Sequence, residues 1–172
     1  MATYVYARTA VVDVSPAHAF DPIRRIGGDA GWYYADWLWR LRGALDLLIG
    51  GNGFRKGRRD PDELRVADAV DFMRVVAIEP NRRVLFAVEM RLAGGGYLEF
   101  KVDGSRSGSV IRLRAFYDPE GIVGRTYWHL CYPLHVLVFR GMMRRIVELA
   151  RAAAKTSLVS GEPKVKETLS RL

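Results

Sequence analysis

A chain of 172 residues is long enough for one domain, and its hydrophobic fraction of 49% supplies the apolar side chains for a sizeable core. The net charge of +8 raises the question of nucleic-acid binding. The basic cluster at residues 55–59, however, lacks interleaved aromatic residues and is followed by acidic residues. We therefore expect a solvated loop there and no nucleic-acid partner. A single cysteine, Cys131, excludes an internal disulfide, and the lack of a signal peptide or a charge-free apolar segment favours a cytoplasmic protein with no membrane span.

The first part of the chain predicts one strand and two helices. Residues 3–14 are rich in Tyr, Val and Thr, which is typical of a strand. Ser15 and Pro16 form an N-cap and a first-turn proline, so a short helix should run to about Arg25. After a glycine-rich break, apolar residues spaced three and four apart predict a second helix over residues 32–49. The residues expected on its core-facing side are Tyr34, Leu38, Leu41, Leu45 and Leu48.

The second half of the chain begins with a predicted antiparallel meander. Three or four strand-like runs are separated by short segments rich in turn-forming residues, and they lie at residues 66–79, 84–91, 97–103 and 109–117. Apolar and charged side chains alternate along these runs, so one face of the sheet should be apolar and the other charged. The residues expected on the apolar face are Val84, Phe86, Val88, Met90, Leu98, Phe100, Val102, Ile111, Leu113 and Ala115.

Residues 134–154 have the longest uninterrupted helical periodicity, and a sheet with one apolar face can bury the apolar stripe of such a helix. The predicted fold class is therefore α+β, with helices on one side of an antiparallel sheet.

Gly141 lies inside the helix predicted over residues 134–154, where glycine costs about 0.5–1 kcal/mol relative to alanine. We therefore expect the backbone of the second helix to approach closely there. We expect one domain over residues 1–154 and a flexible tail over residues 155–172. The stripe consists of Leu134, Val138, Met142, Ile146, Leu149 and Ala153.

Four segments, taken in order, resemble a known family. They are GGDAGWYYADWLWRLRGALDLLIGG, GRRDPDELRVADAVDFMRV, the pair Glu89-Met90, and FYDPEGIVGRTYWHLCYPLHVLVFRGM. These segments are similar to DUF2867, an uncharacterised family, and the order of elements resembles the helix-grip fold of the START-like (SRPBCC, Bet v 1-like) superfamily. The resemblance covers about residues 16–145 and departs from the family at Met73, where a tryptophan is expected.

The resemblance implies a curved antiparallel sheet wrapped around a long C-terminal helix, with a cavity between them for an apolar or aromatic small molecule. Members of the superfamily include binding proteins, cyclases, hydrolases and oxygenase subunits, so the fold does not settle the function. DUF2867 domains are often fused behind a nucleotide-binding domain, which 172 residues cannot also contain, so no cofactor is expected.

The leading hypothesis is a protein that binds a hydrophobic small molecule in a pocket of about 300 Å³ or more between the sheet and the long helix. Candidate lining residues lie on the sheet, in the second helix and around Pro133, where a perturbed helix is a reasonable place for a pocket to open. The candidates are Trp128, His129, Tyr132, His135, Phe86, Met90, Phe100, Tyr97, Met73 and Trp39.

Two other hypotheses stay open. The first is a cofactor-independent isomerase, cyclase or hydrolase that uses His129, His135 or Glu89 as an acid or base. Glu89 could share a proton with Glu99 on the next strand if both faced the concave side, although the alternation favours the outer face. The second is an interaction protein that uses the basic loop and the tryptophan-rich second helix, including Trp37. No metal site is expected because the histidines lack metal-motif spacing, and the oligomeric state is left open.

Overall fold

The computed structural model describes residues 3–48, 50–51, 53–54, 57–89 and 94–160, with the backbone alone for residues 159–160. Within these residues, none of the helices is both long and apolar enough to span a membrane. The elements in chain order are β1 (Tyr4–Val12), α1 (Pro16–Arg24), α2 (Asp36–Leu48), β2 (Ala69–Val70), β3 (Met73–Glu79), β4 (Arg83–Val88), β5 (Gly94–Ser105), β6 (Gly108–Pro119) and α3 (Gly121–Ser160).

All six strands form one antiparallel sheet in the order β1-β6-β5-β4-β3-β2. Strands β2 to β6 are a meander, and β1 adds to the β6 edge, where Val5 pairs with Phe116. The register shifts between Val75 and Ala77 in β3, and an irregularity of this kind bends a strand and increases its twist. The predicted α+β helix-grip fold is confirmed, since this curved sheet packs against the long C-terminal helix α3.

The apolar face of the sheet is the one that the alternation predicts. Its side chains form a single core with one side of α3, and α1 also packs against α3. Met90, which was predicted for the same face, lies outside the described residues. Fully buried residues from the two sides of this core include Phe86, Phe100, Leu113, Met142 and Ile146.

Helix α1 begins as the sequence predicts. The Ser15 side chain accepts a hydrogen bond from the backbone N–H of His18 at 3.4 Å, and Pro16 is the first helical residue. One such cap stabilises a helix by about 1 kcal/mol because it satisfies a backbone donor that has no partner within the helix. Phe20 and Ile23 are buried on the inner side of α1, so this short helix helps to close the core.

Helix α2 differs from the prediction in its start and in its buried side. It begins at Asp36 rather than at residue 32, because the preceding loop has left-handed φ angles at Tyr33 and Ala35. The predicted core-facing residues Leu41, Leu45 and Leu48 are exposed, and the buried residues are Trp39, Gly43 and Asp46. The loop after α2 explains this orientation, since Asp46 accepts a hydrogen bond from Gly53 N–H at 2.8 Å and Phe54 packs directly against Gly43.

Helix α3 is longer than the predicted helix at both ends. It begins at Gly121 rather than at residue 134 and includes Pro133 as an internal residue. It ends at Ser160, so the first six residues of the predicted flexible tail are helical, and residues 161–172 lie outside the described residues. On the predicted stripe, Val138, Met142 and Ile146 are buried, whereas Leu134 is exposed. The exposed end of the stripe faces the groove described below.

Candidate functional site

Aromatic side chains fill most of the space between the sheet and α3. The Trp39 ring lies 5.1 Å from the Phe72 ring and 6.3 Å from the Phe139 ring, and Trp32 lies 5.0 Å from Phe72. What remains is a space of about 50 Å³, here called the interior cavity. It has room for about one or two water molecules. The expected pocket of about 300 Å³ is therefore not present at this place within the described residues, because these rings occupy it.

A second and larger space lies between α2 and the first half of α3, and we call it the helix groove. Its volume is about 260 Å³ and its walls are almost entirely apolar. The apolar residues along its two walls are Leu38, Leu41 and Leu45 from α2 and Leu130, Leu134 and Val138 from α3.

The interior cavity and the helix groove adjoin. Trp39, Arg42, Tyr127 and His135 line both of them, so these four side chains form the boundary between the inner and the outer space. The helix groove therefore extends to this boundary. The boundary is also the most polar part of an otherwise apolar wall.

Three nitrogen atoms at this boundary are buried without a hydrogen-bond partner among the described residues. They are Nε1 of Trp39, Nε of Arg42 and Nδ1 of His135. Leaving a buried polar group unpaired costs about 1–3 kcal/mol, and more for a charged group, so native proteins rarely do so without a reason. A bound ligand or water that supplies oxygen atoms would satisfy these nitrogens.

The electrostatics of the boundary are set by burial and by Arg42. Burial, together with the positive charge of Arg42, lowers the pKa of His135 to about 4, so the imidazole is neutral at pH 7. Burial raises the pKa of Tyr127 to about 12, so its hydroxyl stays protonated. The Arg42 guanidinium lies 5.9 Å from the centre of the Tyr127 ring, and it has no carboxylate partner among the described residues.

The sequence matches the protein family of unknown function DUF2867 over residues 1–142. The chain belongs to this family. A comparison with curated proteins gives no match. The family match therefore agrees with the resemblance seen in the sequence motifs, and it leaves the chemistry to be argued from the structure of this DUF2867 protein.

Several solved structures share the fold of this DUF2867 protein. StfQ, a di-domain ARO/CYC from the steffimycin biosynthetic pathway, has 12% identity and a TM-score of 0.55 over 89% of this chain and 52% of StfQ. An uncharacterized protein from Rhizobium leguminosarum has 10% identity and a TM-score of 0.53, covering 88% and 96% of the two chains. Ara h 8.0201 has 12% identity and a TM-score of 0.50, covering 88% and 99%. At these identities the similarity establishes the helix-grip fold alone.

Of the ligand-binding residues predicted for the DUF2867 protein, four line the spaces described above. Met73 and Tyr97 line the interior cavity from the sheet, and Trp39 and His135 line both spaces. These residues come from β3, β5, α2 and α3, so the fold brings together side chains that are far apart in the sequence. Met73, where the family leads us to expect tryptophan, is therefore a position at which a larger side chain would reduce the interior cavity.

The residues predicted around Pro133 are placed elsewhere. Trp128 is buried, with its ring 5.5 Å from the rings of Tyr4 and Tyr117, so it is part of the core packing. His129 and Tyr132 are exposed and line neither space, because they project from the other sides of α3. Phe86 and Phe100, predicted on the sheet, are fully buried in the core and also line neither space, and Met90 lies outside the described residues.

The two carboxylates considered as an acid–base pair are separated from each other. Glu89 pairs with Arg74, whose Nε lies 2.5 Å from the carboxylate. Glu99 lies opposite Leu85 and pairs with Arg83 at 2.7 Å and with Arg114. Burial raises the pKa of Glu99, but the hydrogen bonds from its two arginines outweigh this and hold the pKa below its usual value. Neither carboxylate can share a proton with the other, so this part of the enzyme hypothesis is wrong.

The main residues that the sequence did not reveal are Arg42, Tyr127 and the leucines of α2. Trp39, the candidate lining residue predicted in the second helix, does line the interior cavity. Trp32 is instead buried in the core, and Trp37 is 65% exposed. The unpaired charge of Arg42 could not be recognised without knowing which arginines of this basic chain have acidic partners.

A larger depression, of about 740 Å³, lies between β1 and α3 and is open to solvent. Arg8, Arg140, Arg144 and Arg151 line it, and none of the predicted site residues does. Its charged walls make it a poor place for an apolar molecule. Among the described residues, no three histidine, cysteine or acidic side chains lie close enough to hold a metal ion.

The pKa of His135 predicts a dependence of stability on pH. The unfolded chain binds a proton at His135 near pH 6.5, whereas the folded protein binds it only near pH 4, so acidification in this range favours unfolding. We expect the wild-type free energy of unfolding to fall by about 2 kcal/mol from this residue between pH 7.5 and pH 5. Urea unfolding of the wild type and of His135→Phe at both pH values measures the contribution of His135. The contributions of all other titratable groups cancel in the difference between the two proteins. Parallel pH profiles of the two proteins would contradict it.

Proposed function

We propose that this DUF2867 protein binds an apolar or aromatic small molecule, with the body of the ligand in the helix groove and one end at the interior cavity. The observation that carries the proposal is the helix groove itself, an apolar space of about 260 Å³ that adjoins the cavity between the sheet and α3. Ligand sites are typically concave and mostly apolar, with a few polar groups that fix orientation. The helix groove and its polar boundary have both features.

The size of the helix groove indicates a small ligand. Its volume is just below the usual range of about 300–1,000 Å³ for small-molecule pockets. A compact aromatic ring system or a short acyl chain suits this space. Each methylene group that leaves water contributes about 0.8 kcal/mol, so moderate affinity is expected from the apolar contacts alone.

The fold supports the proposal without identifying the ligand. The chain has the same fold as StfQ, which is an ARO/CYC of a biosynthetic pathway. A catalytic function remains the second candidate, as a cofactor-independent isomerase, cyclase or hydrolase that acts on the bound ligand. His135 favours this candidate, because among the three predicted acid–base residues it alone lines the helix groove, and its neutral imidazole can accept a proton.

Binding of the neutral fluorescent probe N-phenyl-1-naphthylamine tests the proposal. Leu45 lines the helix groove and is half exposed, so Leu45→Trp fills the groove without disturbing the core. We expect this variant to bind the probe at least ten-fold more weakly than the wild type. Leu158→Trp, on the exposed last part of α3, is the matched control and should bind like the wild type. Equal affinity of the wild type and Leu45→Trp would show that the helix groove is not the binding site.

A further inference from the structure

We propose that the ligand carries a carboxylate or a comparable oxyanion, which binds to Arg42, Trp39 and His135 at the boundary between the helix groove and the interior cavity. This inference rests on the proposed function, because it names the chemical class of the molecule that occupies the helix groove. It starts from the three buried nitrogens that have no hydrogen-bond partner among the described residues.

The unpaired nitrogens indicate acceptor atoms at this boundary. The Nε1–H of Trp39 and the Nε–H of Arg42 can only donate a hydrogen bond. The Trp39 side chain is almost completely buried, with 5% of its surface exposed. Nδ1 of His135 donates in one of the two neutral tautomers of the ring. All three side chains line the same two spaces, so an oxygen atom of a ligand held there can accept from them once the side chains turn their covered nitrogens toward it.

The charge of Arg42 indicates that the acceptor is anionic. Arg42 has no carboxylate partner among the described residues, and its guanidinium contacts the face of the Tyr127 ring instead. No acidic residue lines the interior cavity or the helix groove in the described part of the chain. One or two water molecules could satisfy the nitrogens, but water would leave the positive charge of the half-buried Arg42 without a counter-ion beside the apolar groove. An oxyanion compensates it and forms the stronger, charge-assisted hydrogen bonds.

The position of Arg42 also fits an amphiphilic ligand. The leucines of α2 and α3 offer an apolar surface for the body of the molecule, and the four boundary residues lie at the inner end of that surface. A small aromatic or aliphatic acid can therefore place its apolar part in the helix groove and its carboxylate against Arg42. A neutral molecule of the same shape would gain the apolar contacts alone.

A matched pair of ligands tests the inference. 2-Naphthoate and 2-naphthylmethanol share the ring system and differ in the carboxylate, and each can be titrated against N-phenyl-1-naphthylamine at pH 7.5 in 0.3 M NaCl. The salt screens the general attraction of a chain with net charge +8 for anions. We expect the wild type to bind 2-naphthoate at least ten-fold more tightly than 2-naphthylmethanol. Equal affinities, with the neutral probe still bound in the helix groove, would overturn the inference and leave the proposed function intact.

Three variants locate the effect. Arg42→Gln removes the charge and should bring the ratio of the affinities for 2-naphthoate and 2-naphthylmethanol, both measured on this variant, close to one. Arg40→Gln, an exposed arginine on the same helix, is the matched control and should keep the full preference. Trp39→Phe keeps an aromatic ring and removes Nε1–H, so it should reduce the preference about three-fold or more. A preference that survives in both Arg42→Gln and Trp39→Phe would show that the oxyanion binds elsewhere.

Discussion

Asp71→Ala should lower the free energy of unfolding by about 3–5 kcal/mol, because its carboxylate satisfies three donors, two of them buried. Oδ2 accepts from the backbone N–H of Gly28 at 3.0 Å and from Nε1–H of Trp32 at 3.0 Å, and Oδ1 accepts from the N–H of Gly57 at 2.8 Å. Asp71 is 4% exposed, so water cannot easily replace the lost oxygen atoms. Its φ of +52° is also unfavourable for alanine and acceptable for aspartate or asparagine.

Urea unfolding at pH 7 measures this loss, and two other variants isolate its cause. Asp71→Asn keeps an acceptor oxygen and the tolerance of left-handed φ, so its loss should be about half that of Asp71→Ala. Asp62→Ala removes a carboxylate whose side chain is 61% exposed, and it should change stability by less than about 1 kcal/mol. A loss below about 1 kcal/mol in Asp71→Ala would mean that the three donors find other acceptors.

Asp71 also matters for the proposed site, as a residue that positions other side chains. It holds the indole of Trp32, and this ring lies 5.8 Å from the ring of Trp39 at the boundary of the helix groove. Loss of the hydrogen bond should therefore loosen the packing behind Trp39. A weakened probe affinity in Asp71→Ala, which has no acceptor for the Trp32 indole, at a temperature where the variant is fully folded, would report this connection.

The sequence predicts the sheet well because alternation determines which side of a strand is buried. In β4 to β6, every second residue is apolar, and a strand has only two faces to choose between. Glu99 shows the limit of this argument, since it lies on the outer face as predicted and is nevertheless 4% exposed, covered by Arg83 and Arg114. Long arginine side chains can bury a carboxylate on a face that alternation correctly describes as polar.

The sequence predicts the site less well because a loop contact decides the orientation of α2. This helix has large apolar residues on more than one side, so periodicity alone does not choose between the leucines and Trp39 as the buried side. The orientation of α2 is determined by the hydrogen bond between Asp46 and Gly53 and by the packing of Phe54 against Gly43. The size of the interior cavity depends in turn on how aromatic rings from several elements pack together, which residue spacing does not encode.

Gly141→Ala should lower the stability even though alanine is the better helix former. An alanine Cβ at this buried position would lie 2.2–2.4 Å from three ring carbons of Tyr34, which is too close for non-bonded carbon atoms. The expectation of a close neighbour at Gly141 is therefore met, but the neighbour is the Tyr34 ring rather than a second backbone. Overpacking of this kind costs about 1–3 kcal/mol, which exceeds the gain of about 0.5–1 kcal/mol in helix propensity.

A double-mutant cycle with Tyr34→Ala separates the two contributions at Gly141. In the wild-type background, the net loss of about 1–2 kcal/mol should lower the melting temperature of Gly141→Ala by about 2–8 °C, given a shift of roughly 2–4 °C per kcal/mol for a chain of this length. In the Tyr34→Ala background, the ring is absent and the same change should leave the melting temperature unchanged or raise it, since only the helix propensity remains. A melting temperature that rises in both backgrounds would show that Tyr34 does not pack on α3, and the loop that leads into α2 would then have to lie elsewhere.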